Sequence, residues 1–106
     1  MSTLSTHILA ISTGKPAQGV KVILLRDETV IAEGSTDANG RISALASLTP
    51  GQYRLVAQTG AWFAAQGITT IFPCAQIDFT VAETAEGHFH LPFLIAPGGW
   101  STYRGS

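Results

Sequence analysis

Three histidines carry most of the reactive potential in this sequence: His7, His88 and His90. Imidazole is the side chain best poised for proton transfer near neutral pH. His88 and His90 stand two residues apart, a spacing that puts both on one face of a strand. Such a pair can move protons, sit in solvent as ordinary surface, or begin a metal site. Zinc needs at least one further ligand; His7 is the candidate, and the carboxylates show no matching cluster. Serine is abundant, but no Gly-x-Ser-x-Gly elbow occurs, which argues against a conventional serine hydrolase. Cys74 follows Pro73 with no basic neighbour and reads as a small buried hydrophobe rather than a reactive thiol. Trp62 and Phe63 read as packing residues, and Lys15 as a solvated turn residue.

The elements that must hold these residues are short and β-rich. Runs at 6–11, 20–26, 29–33, 41–45, 53–58, 75–81, 89–95 and 101–104 alternate with turn signals such as Asp27-Glu28, Asp37-Ala38-Asn39-Gly40, Pro50-Gly51 and Pro97-Gly98-Gly99. Strands this short at close, regular spacing predict an all-β sandwich or barrel. One Ala-rich stretch at 60–67 predicts a single short helix, with Thr59 as cap and Gly67 at its end. In the seventh run, period-2 alternation puts Phe89, Leu91, Phe93 and Ile95 on the core face and His88, His90, Pro92 and Leu94 on the other. In the first run His7, Leu9 and Ile11 oppose Ile8 and Ala10, and both faces are too apolar to say which is inside. Pro92 is awkward within a strand, because it removes a ladder donor.

Composition sets the class. At 106 residues the chain fits one domain spanning 1–106, with no linker or repeat. It is 45% hydrophobic and 12% charged, which excludes a disordered tail and suggests that part of the surface is covered by another subunit. A net charge of −1 gives no electrostatic footprint for nucleic acid. No apolar run approaches the length of a membrane helix, and the opening residues lack the layout of a signal peptide. A single cysteine agrees with a reducing compartment, so a cytoplasmic location is expected. These features alone describe a soluble β-sandwich of unspecified role.

Particular motifs go further. Leu4-Ser5-Thr6-His7-Ile8-Leu9 with Ser12-Thr13-Gly14-Lys15-Pro16-Ala17 resembles the opening of the transthyretin-like family. Thr36-Asp37-Ala38-Asn39-Gly40-Arg41 looks like its middle motif, and Thr59-Gly60-Ala61-Trp62-Phe63 with Phe72-Pro73 its helix and the entry to the next strand. His90-Leu91-Pro92-Phe93-Leu94 and the ending Ser101-Thr102-Tyr103-Arg104-Gly105-Ser106 are similar to its closing motifs. The chain departs from the family's pattern at Ala10, where aspartate is common, and at Trp100, where tyrosine is frequent. The ending Tyr-Arg-Gly-Ser is that of the family's 5-hydroxyisourate-hydrolysing members rather than of its thyroid-hormone carrier.

The resemblance implies a sandwich of two four-stranded sheets that assembles as a homotetramer, a dimer of dimers, with its site in a cleft between subunits. It implies hydrolysis of 5-hydroxyisourate to 2-oxo-4-hydroxy-4-carboxy-5-ureidoimidazoline, on the route from urate to allantoin, with no metal or organic cofactor. His7 and His90 are then expected to activate water and move protons, and Arg41 to stabilise the oxyanion. Arg104, Ser106 and, less directly, Tyr103 are expected to hold substrate from the tail. His88 falls outside the site, because the family motif aligns with His90. The rival expectation is a non-catalytic carrier of small aromatic ligands. A structural sandwich module is a third.

Overall fold

The computed structural model describes residues 2–84 and 87–105; Ser106 lies outside them, and so does its expected role. Two sheets pack face to face. The first is built around β1 (Ser2–Ala10), which pairs antiparallel with β5 (Arg41–Leu48) and with the two-residue β2 (Lys15–Pro16). Along its other edge β1 runs parallel to β8 (Gly87–His90) and then to β9 (Phe93–Ala96), which in turn pairs with β10 (Gly99–Thr102). The second sheet is antiparallel throughout, in the order β4 (Thr29–Ser35), β3 (Lys21–Arg26), β6 (Gly51–Ala57), β7 (Ala75–Val81). With β8 and β9 taken as one interrupted strand, each sheet has four main strands, as expected, and β2 is a short addition to the first.

The interruption at Pro92 is local. Ser5 pairs with His90 and Ile8 with Phe93, so the parallel register passes through Leu91-Pro92 without a slip. Two hydroxyls satisfy the carbonyls at the interruption: Thr6 donates to the Leu91 carbonyl at 2.7 Å and Thr102 to the Pro92 carbonyl at 2.7 Å. The proline is thus tolerated in a strand course because its neighbours bond its surroundings sideways.

The core lies between the sheets. Phe89, Leu91, Phe93 and Ile95 are buried on the face that alternation assigns to them, and Leu4, Thr6, Ile8 and Ala10 settle the inner face of β1. Val22, Leu24, Tyr53, Leu55, Ala57, Ala75 and Val81 meet them from the second sheet. The Ala10 carbonyl accepts from the backbone N–H groups of Thr13 and Gly14, closing the turn after β1. Trp100 packs against Phe93, ring centroids 6.0 Å apart.

Three expectations need correction. The helix α1 (Thr59–Ala64) is shorter than predicted, and Thr59 is its buried first residue rather than a cap. Its end does use Gly67, at φ +71°, with Gly67 N–H to Ala64 and Ile68 N–H to Phe63 closing the left-handed turn. Cys74 is half-buried rather than buried. The last strand ends at Thr102, so Tyr103 and Arg104 of the expected run 101–104 lie beyond it.

Candidate active site

The outer face of the first sheet carries the histidines, because inward positions of β1 and β8 are taken by Leu4, Thr6, Ile8 and Phe89. Thr3, Ser5 and His7 alternate outward on β1, and His88 and His90 outward on β8. Register then brings them together. Ser5 is the Cα partner of His90, and His7 is the partner of Arg41 on β5. Cross-strand partners project on the same side, so Arg41 on β5 shares the outer face with His7 on β1 and His90 on β8.

Local chemistry fixes the Arg41 backbone. The Asp37 carboxylate accepts the backbone N–H of Asn39 at 2.8 Å and of Arg41 at 3.0 Å, and Gly40 N–H reaches the Asp37 carbonyl at 2.9 Å. Those N–H donors, Arg41 first, hold the Asp37 carboxyl below the usual carboxylate range. Gly40 sits at φ +74°, and a Cβ built there would run into the Ile8 carbonyl oxygen, so a side chain meets β1 backbone. Its own carbonyl accepts from Ile8 N–H at 2.7 Å. Behind the turn, the buried Thr36 hydroxyl donates to Ala17 and accepts from Val20, tying down the loop that follows β2. The middle motif is therefore a device for delivering Arg41 beside His7.

Ser5, Thr6, Arg41, Ile42, Ser43, His88 and His90 line a shallow depression of about 270 Å³. His7 flanks it without lining it. Within it the Ser5 hydroxyl lies 2.7 Å from His90 Nδ1 and 2.6 Å from His88 Nε2, while the Thr3 hydroxyl lies 2.6 Å from His88 Nδ1. His88 is thus part of the arrangement that the motif alignment left it out of. Among the described residues no group of three or more His, Cys, Asp or Glu stands together as a metal site would.

Electrostatics favour neutral imidazoles. Burial, and then the Arg41 guanidinium, lower the pKa of His7 from its ordinary 6.5. Burial comes first for His90 too, followed by Arg41, His7 and His88. A neutral imidazole keeps a lone pair, and an arginine beside it supplies fixed positive charge: a base and an oxyanion partner on one surface.

The tail reaches this surface through its backbone. Gly105 N–H donates to the His90 carbonyl at 2.7 Å, and a Cβ at Gly105 would stand 2.6 Å from His90 Cδ2. Only a glycine lets the tail lie against the imidazole edge. Arg104 does not line the depression; its guanidinium carbon sits 4.4 Å from the centroid of Phe89, the core-facing residue between the two histidines. Tyr103 is exposed. A larger hollow of about 400 Å³ on the second sheet is lined by Tyr53, Arg54 and Asp78 among others, and its arginine is engaged by Asp78 at 2.8 Å. It holds no histidine.

Residues 4–105 match the Transthyretin model, described as the HIUase/Transthyretin family. A 5-hydroxyisourate hydrolase of Caulobacter vibrioides is 43% identical over 116 residues, covering 100% of both chains. The structure of Klebsiella pneumoniae 5-hydroxyisourate hydrolase superposes with a TM-score of 0.94 at 60% identity, covering 100% of each chain. Sea bream transthyretin in complex with thyroxine superposes with a TM-score of 0.91 at 29% identity, over 97% of this chain and 94% of that one.

Proposed function

The chain belongs to the HIUase/Transthyretin family, and from that premise we propose that it hydrolyses 5-hydroxyisourate to 2-oxo-4-hydroxy-4-carboxy-5-ureidoimidazoline. The observation that carries the reading is the convergence of His7, Arg41 and His90 on one polar face. A carrier of aromatic ligands has no use for two bases beside a guanidinium.

The chemistry follows from the residues. The substrate's cyclic amide carbonyl is electron-poor, so an activated water suffices and no covalent nucleophile is needed. A neutral histidine takes a proton from water as its oxygen adds to the carbonyl carbon. The resulting tetrahedral oxyanion lies against Arg41, which stabilises it through fixed N–H donors. Collapse breaks the ring C–N bond, the histidine's proton passes to the departing nitrogen, and the carbonyl carbon becomes a carboxylic acid that gives its remaining proton to solvent as it ionises. Arg104, Tyr103 and Ser106 serve substrate binding in this reading. A guanidinium resting on Phe89 by its face still offers in-plane N–H groups to a carbonyl.

A depression of this depth is open in one protomer, and a second subunit laid over it would exclude water. The functional unit is accordingly a homotetramer, a dimer of dimers, working in the cytoplasm. The sparse charge of the sequence fits such coverage.

The deciding experiment follows the ultraviolet decay of freshly generated 5-hydroxyisourate with and without the protein. Faster decay with protein is expected, and His7→Asn or His90→Asn should lower kcat by about 10²–10⁴-fold. Decay at the blank rate, together with tight binding of a thyroxine-like aromatic, would establish the carrier instead.

A further inference from the structure

Both ring nitrogens of His88 are engaged, and so are both sides of the Ser5 hydroxyl. Thr3 Oγ1, His88 Nδ1, His88 Nε2, Ser5 Oγ and His90 Nδ1 form one continuous chain with links of 2.6, 2.6 and 2.7 Å. Each neutral imidazole has one N–H and one bare nitrogen, and each hydroxyl has one proton. Ser5 can donate to only one of its two imidazoles, so the other must donate to Ser5.

Only two orderings satisfy every neutral link. In one, His90 Nδ1–H donates to Ser5, Ser5 to His88 Nε2, and His88 Nδ1–H to Thr3; His90 Nε2 is then bare and basic. In the other every donor is reversed, and His90 Nε2 carries the proton. From this geometry we propose that Thr3, His88 and Ser5 are a proton wire that switches His90 between base and acid, a proposal that rests on the hydrolytic reading above.

The strokes balance. His90 Nε2 takes a proton from the attacking water; its Nδ1 proton moves to Ser5, Ser5's to His88 Nε2, and the His88 Nδ1 proton to Thr3. Thr3, exposed on the outer end of the chain, releases its own hydroxyl proton to solvent. One proton has left the site, and every member is neutral in the reversed order. When the leaving nitrogen takes the Nε2 proton, the same links run backwards, one proton enters from solvent at Thr3, and the first ordering is restored. Ser5 and His88 thus act through His90 and are positioning and relay residues.

The test compares Ser5→Ala, Ser5→Thr and His88→Gln with the unmodified protein on 5-hydroxyisourate. Ser5→Ala and His88→Gln should each lower kcat by about 10–100-fold with KM within about threefold, less than the loss of the base itself. The double variant should be no slower than the slower single one, because a wire is cut once. Ser5→Thr should keep most of the rate, and added imidazole should restore the Ser5→Ala rate in proportion to its concentration. His88 is exposed, so His88→Gln tests the wire even if Ser5→Ala folds poorly. Wild-type kcat in both single variants, multiplying losses in the double one, or losses untouched by imidazole would overturn the wire. Failure of the unmodified protein to hydrolyse the substrate would instead overturn the function.

Discussion

His7 and His90 keep their lone pairs at neutral pH because burial and a shared arginine both work against the charged imidazolium. The sign follows directly. Both groups bind a proton less readily folded than at the ordinary 6.5, so kcat/KM should hold at pH 7 and fall only below that value. Stability should erode in the same direction, from about pH 6.5 downward, since the unfolded chain takes up the extra protons. Arg41→Gln removes one cause at each histidine but not the largest, which is burial. By proton NMR titration both histidine midpoints should move up toward 6.5 without passing it; unmoved midpoints would dismiss the guanidinium as their neighbour. At this scale the sequence was informative about His7, Arg41 and His90, whose motifs are visible along the chain. Ser5 was not legible, because its place beside His90 depends on the offset at which two distant strands pair. His88 was passed over because the motif alignment falls on His90.

Elements do the positioning, and the turn between β4 and β5 does most. Gly40→Ala combines a left-handed φ, costing roughly 1–2 kcal/mol, with a methyl driven into the Ile8 carbonyl. Denaturant unfolding should show a loss of at least about 2 kcal/mol, and the surviving folded protein should turn over slowly because Arg41 has shifted. An alanine variant as stable and active as its parent would show that the turn relaxes freely. The strands themselves were readable from turn residues and alternation, which found the correct inner face of β8 and β9. What alternation could not supply was the end of β10 at Thr102, where the chain stops pairing with β9 and Gly105 turns back to His90. Nor could it say how Pro92 is accommodated, since that answer belongs to the hydroxyls of Thr6 and Thr102.

For the whole molecule, the sandwich was legible from strand spacing and motifs together, and the packing of one apolar face against another follows from the pattern. Assembly is a separate matter, because one chain's pattern does not reveal what covers its outer face. Sedimentation should show a tetramer, and dilution through its dissociation should lower specific activity in step with the tetramer fraction. A monomer with undiminished specific activity would place the complete site within one chain.

β1 sits inside its sheet, with β5 on one edge and β8 and β9 on the other, and 85 residues separate Ser5 from His90. During synthesis at about 5–20 residues per second, the first half of this surface waits roughly 4–17 s for the second. Until β8 emerges, one edge of β1 is open to any passing strand. The pairing that creates the site is also among the most distant in the chain, and such pairings form slowly. Each protomer's share of the site and its nascent-chain safety are therefore finished by the same event: the closing of β8 onto β1.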